Sequence, residues 1–187
     1  MIRRLSLPDV FGALYVCPAP ETEAGQSAAA HAMLREVLPL YANEHGVAVP
    51  DDPILLRGEM GKPYFSDLPG VFVSIAHCRG LAAVLLSGHE CGVDAEAVRP
   101  LREKVVRRVF SDEEQAHLAE ASDPDRLFTR LWTLKESYVK SIGIGISYPM
   151  REVSFTLGRA ITCTKPDAAF YQLDEGEFIL SACILTA

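Results

Sequence analysis

Two short segments concentrate side chains suited to metal and phosphate chemistry: Gly92-Val93-Asp94-Ala95-Glu96 and Trp132-Thr133-Leu134-Lys135-Glu136-Ser137-Tyr138-Val139-Lys140. On a strand, residues two apart project from one face, so Asp94 and Glu96 would present both carboxylates to the same side. The second segment sets Glu136 between Lys135 and Lys140 on a predicted helix. Three carboxylates can hold a hard divalent cation such as Mg²⁺, which takes oxygen ligands, and flanking lysines can neutralise phosphates bound to it. These types and spacings point to chemistry on a magnesium-bound phosphate ester or diphosphate. Each feature also has an ordinary explanation. A D-x-E pair is often a solvated strand face. Glu136 and Lys140 form an i, i+4 pair in the favourable orientation, worth a few tenths of a kcal/mol on a solvated helix face. Neither explanation covers Trp132, Lys135 and the upstream D-x-E together.

A weaker element lies upstream. Gly61-Lys62-Pro63 reads as a turn, and Ser74-Ile75-Ala76-His77-Cys78 sets His77 at a strand end. In this order the three elements resemble the 4′-phosphopantetheinyl transferases of the larger, surfactin-synthetase-activating type, whose motifs are G-[VI]-D-x-E and W-x-x-K-E-[SA]-x-x-K. The resemblance covers roughly positions 61 to 150. It implies transfer of 4′-phosphopantetheine from coenzyme A to a serine of an acyl or peptidyl carrier protein, with Mg²⁺ held by Asp94, Glu96 and Glu136. It also implies that Lys62, His77 and Lys140 contact the phosphates of coenzyme A, with Lys135 and Asp94 among the cofactor-binding residues and Glu136, Lys140 and His77 catalytic. Where the family carries a hydroxyl before the histidine, this chain has Ala76, so one phosphate contact is expected to be missing. The alternative is a non-catalytic homologue that binds a carrier protein or a nucleotide.

The elements that must position these residues follow from the pattern. Strands are expected at 12–17, 54–57, 71–76, 81–87 and 91–96, with tail strands at 152–157, 168–173 and 177–185. An Ala-rich helix over 21–45 ends near Gly46. Ser111 and Glu114 form a capping box that opens a helix at about 112–121. A helix at 124–142 carries Pro124 at its first position and ends at Gly143. Within it Leu127, Leu131, Leu134 and Tyr138 make a buried stripe, leaving Glu136 and Lys140 on the opposite face. This is an α+β chain with antiparallel sheets. The resemblance implies two similar halves, 1–92 and 93–187, related by a pseudo-twofold with the active site between them, and hence a monomer.

Bulk properties exclude other classes. The 187 residues suffice for one sizeable core, and the formal net charge of −7 argues against non-specific nucleic-acid binding. The five cysteines (17, 78, 91, 163 and 183) lack C-x-x-C spacing, which suits reduced thiols in a cytoplasmic protein. Arg3 and Arg4 precede an apolar run that Pro8 and Asp9 interrupt, so this region reads as a first strand and not a signal peptide. No apolar stretch is long enough to span a membrane. Against the acidic total, Arg99, Arg102, Lys104, Arg107 and Arg108 stand out as a docking surface for an acidic partner.

Overall fold

The strand at Leu81–Ser87 shows how this sequence builds its layers. It is apolar throughout, and alternation sends Ala82, Val84 and Leu86 to one core while Ala83 and Leu85 enter another. In the computed structural model, which describes residues 1–7 and 12–186, that strand is β6 of a four-stranded antiparallel sheet. Its neighbours are β1 (Arg3–Leu5), β2 (Gly12–Pro18) and β5 (Phe72–Cys78), in the order β1-β2-β6-β5. The interruption expected at Pro8 and Asp9 lies outside the described residues. Helix α1 (Glu23–His45) covers the outer face, capped by Thr22 and closed by left-handed Gly46 at φ 67°. The hairpin β3 (Leu55–Arg57) and β4 (Pro63–Phe65) flanks this unit.

The second unit repeats the plan. The strand β7 (Cys91–Ala97) joins β10 (Ala168–Asp174) and β11 (Phe178–Leu185) in the antiparallel order β10-β11-β7. Helix α4 (Pro124–Ile142) lies on the outer face, preceded by α2 (Glu103–Val109) and α3 (Asp112–Glu120). The inner faces of both sheets share a core. Leu14, Val16, Ala76 and Leu85 of the first meet Val93, Ala95, Leu180 and Ala182 of the second. The edge strands β5 and β7 run side by side, with the Ser74 hydroxyl accepting from the Val93 amide at 2.9 Å. This mixed α+β architecture with antiparallel sheets matches the expectation from sequence. The chain passes between sheets just before Cys91.

The elements depart from expectation in several places: α2, β4 and the short strand β9 (Ile161–Cys163) are not among those expected, and one expected strand is cut short. A strand predicted over 152–157 is shortened to β8 (Phe155–Leu157), paired with β9, and residues Met150–Glu152 form a 3₁₀ turn. The reason is local bonding: the Glu152 and Val153 amides donate back to the Pro149 and Met150 carbonyls, and the Val153 carbonyl accepts from the buried Lys135 ammonium, so none of these groups is left for a neighbouring strand. All five cysteines are free thiols. Among the described residues no helix is long and apolar enough to cross a membrane.

Candidate active site

The site begins with a close approach. A Cβ built on Gly92 would stand 2.0 Å from the Ser137 carbonyl oxygen and 2.5 Å from the Ser141 amide nitrogen. The backbone of α4 therefore rests directly on β7, and only glycine permits that contact. Two residues further along β7, the approach delivers Asp94 to the helix: the Lys140 ammonium donates to Asp94 Oδ1 at 2.7 Å. On the same face Thr133 and Ser181 exchange a hydroxyl hydrogen bond of 2.7 Å, seating α4 on β11. Val93 and Ala95, on the alternate positions, are buried in the shared inner core. Strand alternation thus splits β7 into a structural face and a chemical one.

Three carboxylates share this neighbourhood electrostatically. Burial raises the pKa of Glu136 to about 7, helped by the charges of Asp94 and Glu96 and opposed by Lys140. Glu96 is also raised, by burial and then by Asp94, with Arg99 and the Trp132 side chain pulling the other way. Burial alone would lower the pKa of the Lys140 ammonium, but Asp94, Glu136 and Glu96 hold it above its ordinary value. The helix face that carries Glu136 and Lys140 turns toward β7 and is half-buried, with both side chains still open to the cleft described next. Asp94 is 7% exposed, and its Oδ2 is buried without a hydrogen-bond partner. That orphaned oxygen, with two more carboxylates whose protonation responds to it, is a donor set suited to a hard divalent cation. Among the described residues, no three His, Cys, Asp or Glu side chains converge into a ready-made metal cage.

A cleft of about 290 Å³ opens between α1, the β3–β4 hairpin, β5 and α4, while Asp94 and Glu96 of β7 lie behind its lining. It gathers Lys62, His77, Glu136 and Lys140, four of the residues singled out from sequence. Lys62 follows left-handed Gly61, at φ 84°, and its ammonium donates to the Ser141 carbonyl and pairs with Glu90. His77 Nδ1 lies 3.3 Å from Gln26 Oε1 of α1. The far wall adds His31 and Arg57, which sequence reasoning did not place in the site. His31 titrates below its ordinary range because of burial and then the nearby charges of Arg57, Arg35 and His77. A basic residue just before the Gly58–Lys62 turn was the available signal for Arg57.

Two expectations are corrected. Lys135 does not reach the cleft. Its side chain is fully buried on the other side of α4, paired with Glu114 at 2.8 Å and donating to the Met150 and Val153 carbonyls. Helical geometry enforces this, since positions 135 and 140 differ by roughly 140° around the axis. Ala76 does not face the cleft either. It points into the inner core with Leu85 and Val93, so a hydroxyl there would meet apolar neighbours and not a phosphate.

The comparisons with known proteins bear on residues placed above. A sequence model of the 4′-phosphopantetheinyl transferase superfamily matches residues 90–183, half of the chain. The chain belongs to the 4′-phosphopantetheinyl transferase superfamily. The match takes in Asp94, Glu96, Glu136 and Lys140 and agrees with the resemblance read from the motifs. The chain is 33% identical over 102 residues to 4′-phosphopantetheinyl transferase Sfp of Bacillus subtilis strain 168, covering 53% of this chain and 45% of that protein. It is 35% identical over 119 residues to 4′-phosphopantetheinyl transferase AcpT of Salmonella typhi, covering 60% and 61%. The chain thus spans about half the length of the curated relatives it matches. Superposition on holo-[acyl-carrier-protein] synthase (AcpS) from Neisseria meningitidis covers 51% of this chain and 96% of that one, at 14% identity and a TM-score of 0.46.

In this superfamily member the basic cluster divides. Arg99 turns inward, bonding Glu96 at 3.0 Å and lying 5.7 Å from the centre of the Trp132 ring. Trp132 in turn stacks on Phe128, so the motif tryptophan shields the Glu96–Arg99 pair from one side. Arg102, Lys104, Arg107 and Arg108 are exposed. Lys104 and Arg108 border a separate groove of about 540 Å³ floored by Val105, Val109 and Trp132.

Proposed function

We propose that this chain transfers 4′-phosphopantetheine from coenzyme A to a serine of an acyl or peptidyl carrier protein. The observation that carries this reading is the Lys140–Asp94 contact across Gly92, which joins a carboxylate cluster to a cleft lined by Lys62, His77, His31 and Arg57. Lys62 and Arg57 as cations, with the two imidazoles as hydrogen-bonding partners, suit the diphosphate and adenosine phosphate of coenzyme A, because charge-assisted hydrogen bonds gain strength in a partly desolvated cleft. In the reaction, the serine oxygen forms a bond to the phosphorus of phosphopantetheine. The bond from that phosphorus to the bridging oxygen breaks, and 3′,5′-adenosine diphosphate leaves. Glu136, with its raised proton affinity, is placed to take the serine proton. Lys140 and His77 offset charge on the phosphates, and the catalysis is mostly positioning and electrostatics. Asp94, Glu96 and Glu136 are the residues that would hold Mg²⁺, which when bound stabilises negative charge on the diphosphate oxygens. The two helix-on-sheet units act as halves that meet at this site. The four exposed basic residues at α2 serve to dock the acidic carrier.

The test is direct. Incubation with coenzyme A, Mg²⁺ and an apo carrier protein should add the mass of phosphopantetheine to the carrier. A chain that binds coenzyme A or the carrier without any mass gain would be the non-catalytic homologue. Cleavage of coenzyme A in the absence of carrier would indicate a diphosphate hydrolase.

A further inference from the structure

Lys135 is the motif residue that the proposed chemistry leaves unused, and it is a fully buried cation with three polar partners. Its side chain is fully buried, bonded to Glu114 Oε2 at 2.8 Å and to the carbonyls of Met150 and Val153. Its ammonium sits 5.5 Å from the Phe110 ring centre and 5.9 Å from that of Phe155. Glu114 is saturated as well. Its Oε2 accepts from the Ser111 amide at 2.8 Å, closing the capping box of α3, and its Oε1 accepts from the Phe155 amide at 2.9 Å. One buried pair therefore ties four segments together: α4, the start of α3, the 3₁₀ turn at Met150–Glu152 and β8.

The geometry gives this knot a consequence for the site. On its sheet side α4 is seated by Gly92 and by the Thr133–Ser181 bond. The knot grips the other side, roughly 160° around the axis from Thr133. A helix held on one face can still roll, and one held on two opposed faces cannot. Glu136 and Lys140 lie between these grips, and their meeting with Asp94 depends on the roll angle. We propose that Lys135 is a positioning residue: its buried pair with Glu114 locks the rotation of α4 and so holds Glu136 and Lys140 against Asp94, without touching the phosphates itself. This rests on the proposed transferase reading for the meaning of the site it positions.

The pair can be tested against a direct ligand role by removing it in two steps. Lys135→Met alone leaves the Glu114 carboxylate buried without its cation, which is strongly disruptive, whereas replacing both partners by apolar residues of similar size is commonly tolerated. Lys135→Met should lower the thermal midpoint. At a temperature where it is still folded, it should bind coenzyme A about fivefold or more weakly by calorimetry. Lys135→Met with Glu114→Leu, in which apolar packing stands in for the pair, should recover the midpoint but bring the affinity back only part of the way, to between the single variant and wild type. Lys140→Met, in contrast, removes a cation that lines the cleft and should lose affinity even at temperatures where it is fully folded. A folded double variant that binds as poorly as Lys140→Met would make Lys135 a phosphate ligand and overturn the proposal. A folded single variant with wild-type affinity would reduce Lys135 to a purely structural role. Should the double variant not fold, acetic anhydride labelling of the native protein still decides. Lys62 and Lys140 should label and be protected by coenzyme A, and Lys135 should resist labelling with or without it. Labelling of Lys135 that coenzyme A suppresses would contradict the proposal. If wild type binds no coenzyme A at all, the transferase reading fails, while the midpoints of the single and double variants still test the knot.

Discussion

The two walls of the cleft are built differently. On the α4 wall, which β7 backs, the helix backbone touches the strand at Gly92, a lysine is bonded to a nearly buried aspartate, and hydroxyl and ionic contacts hold the helix on opposed faces. On the α1–β3 wall the groups are looser. His77 meets Gln26 at 3.3 Å, and Arg57 is exposed, its guanidinium donating to the Gly61 carbonyl at 3.0 Å. Charges that must act on a reacting bond need fixed geometry, because a small misplacement costs much of the rate. Charges that only bind a flexible ligand can adapt. The comparison assigns chemistry to the first wall and substrate grip to the second.

The largest effect should come from the contact that sets the first wall. In Gly92→Ala the new methyl meets the backbone of Ser137 and Ser141, not flexible side-chain ends. Separating α4 from β7 should cost at least the ~1–3 kcal/mol of an overpacked core and remove transfer activity. Thermal unfolding together with the transfer assay would check this, and an active, undiminished variant would break the comparison at its base.

The pH dependence of stability sharpens it next. Glu136 has a folded pKa of about 7 against an ordinary value of 4.5. A raised acid pKa means that the folded state holds the extra proton, so its contribution to stability is full below about pH 4.5 and is lost as pH rises through about 7. Without divalent cation, Glu136→Gln should therefore match wild type near the acid end of that window and exceed it in thermal midpoint above it. Parallel curves for the two proteins would show that Glu136 feels no such strain.

On the looser wall, Arg57→Ala should leave the fold and turnover near wild type and raise the Michaelis constant for coenzyme A about tenfold, the worth of one good charge-assisted hydrogen bond. An equal fall in turnover would mean that this wall takes part in the chemistry. Outside the cleft, Arg102→Glu with Arg107→Glu should raise the Michaelis constant for the carrier with little change at saturation. The wild-type rate at low carrier should also fall with salt, since exposed charges are screened over about 10 Å at 0.1 M. Insensitivity of both would return these residues to the role of a solvated helix face.

Much of this was legible in the residues. Period-two alternation and apolar runs located the main strands, and Ser111 with Glu114, Pro124, Gly46 and Gly143 marked the ends of helices. Asp94, Glu136 and Lys140 were found as a group because local spacing places them on definable faces. What escaped was long-range. Gly92 read only as a motif letter, since its role depends on a helix more than forty residues away, as the positions of Ser137 and Ser141 show. Lys135 looked like a phosphate ligand because nothing local reveals Glu114 and the Met150 and Val153 carbonyls waiting behind the helix. Ala76 was placed facing the cofactor because strand alternation leaves open which face turns toward the cleft. Arg57 and His31 join the site only through the packing of α1 and the β3–β4 hairpin beside it.

The central claim is that the carboxylate wall does chemistry and is not needed for folding. It is tested most directly by the mass of an apo carrier protein after incubation with coenzyme A and Mg²⁺, using wild type and Asp94→Ala in parallel, each verified as folded by its thermal transition. The account predicts a phosphopantetheine mass gain with wild type and a rate lower by about a hundredfold or more with Asp94→Ala, since a residue acting on the transition state lowers turnover itself. Equal mass gain with the two proteins, or no gain with a folded wild type that binds coenzyme A, would contradict it.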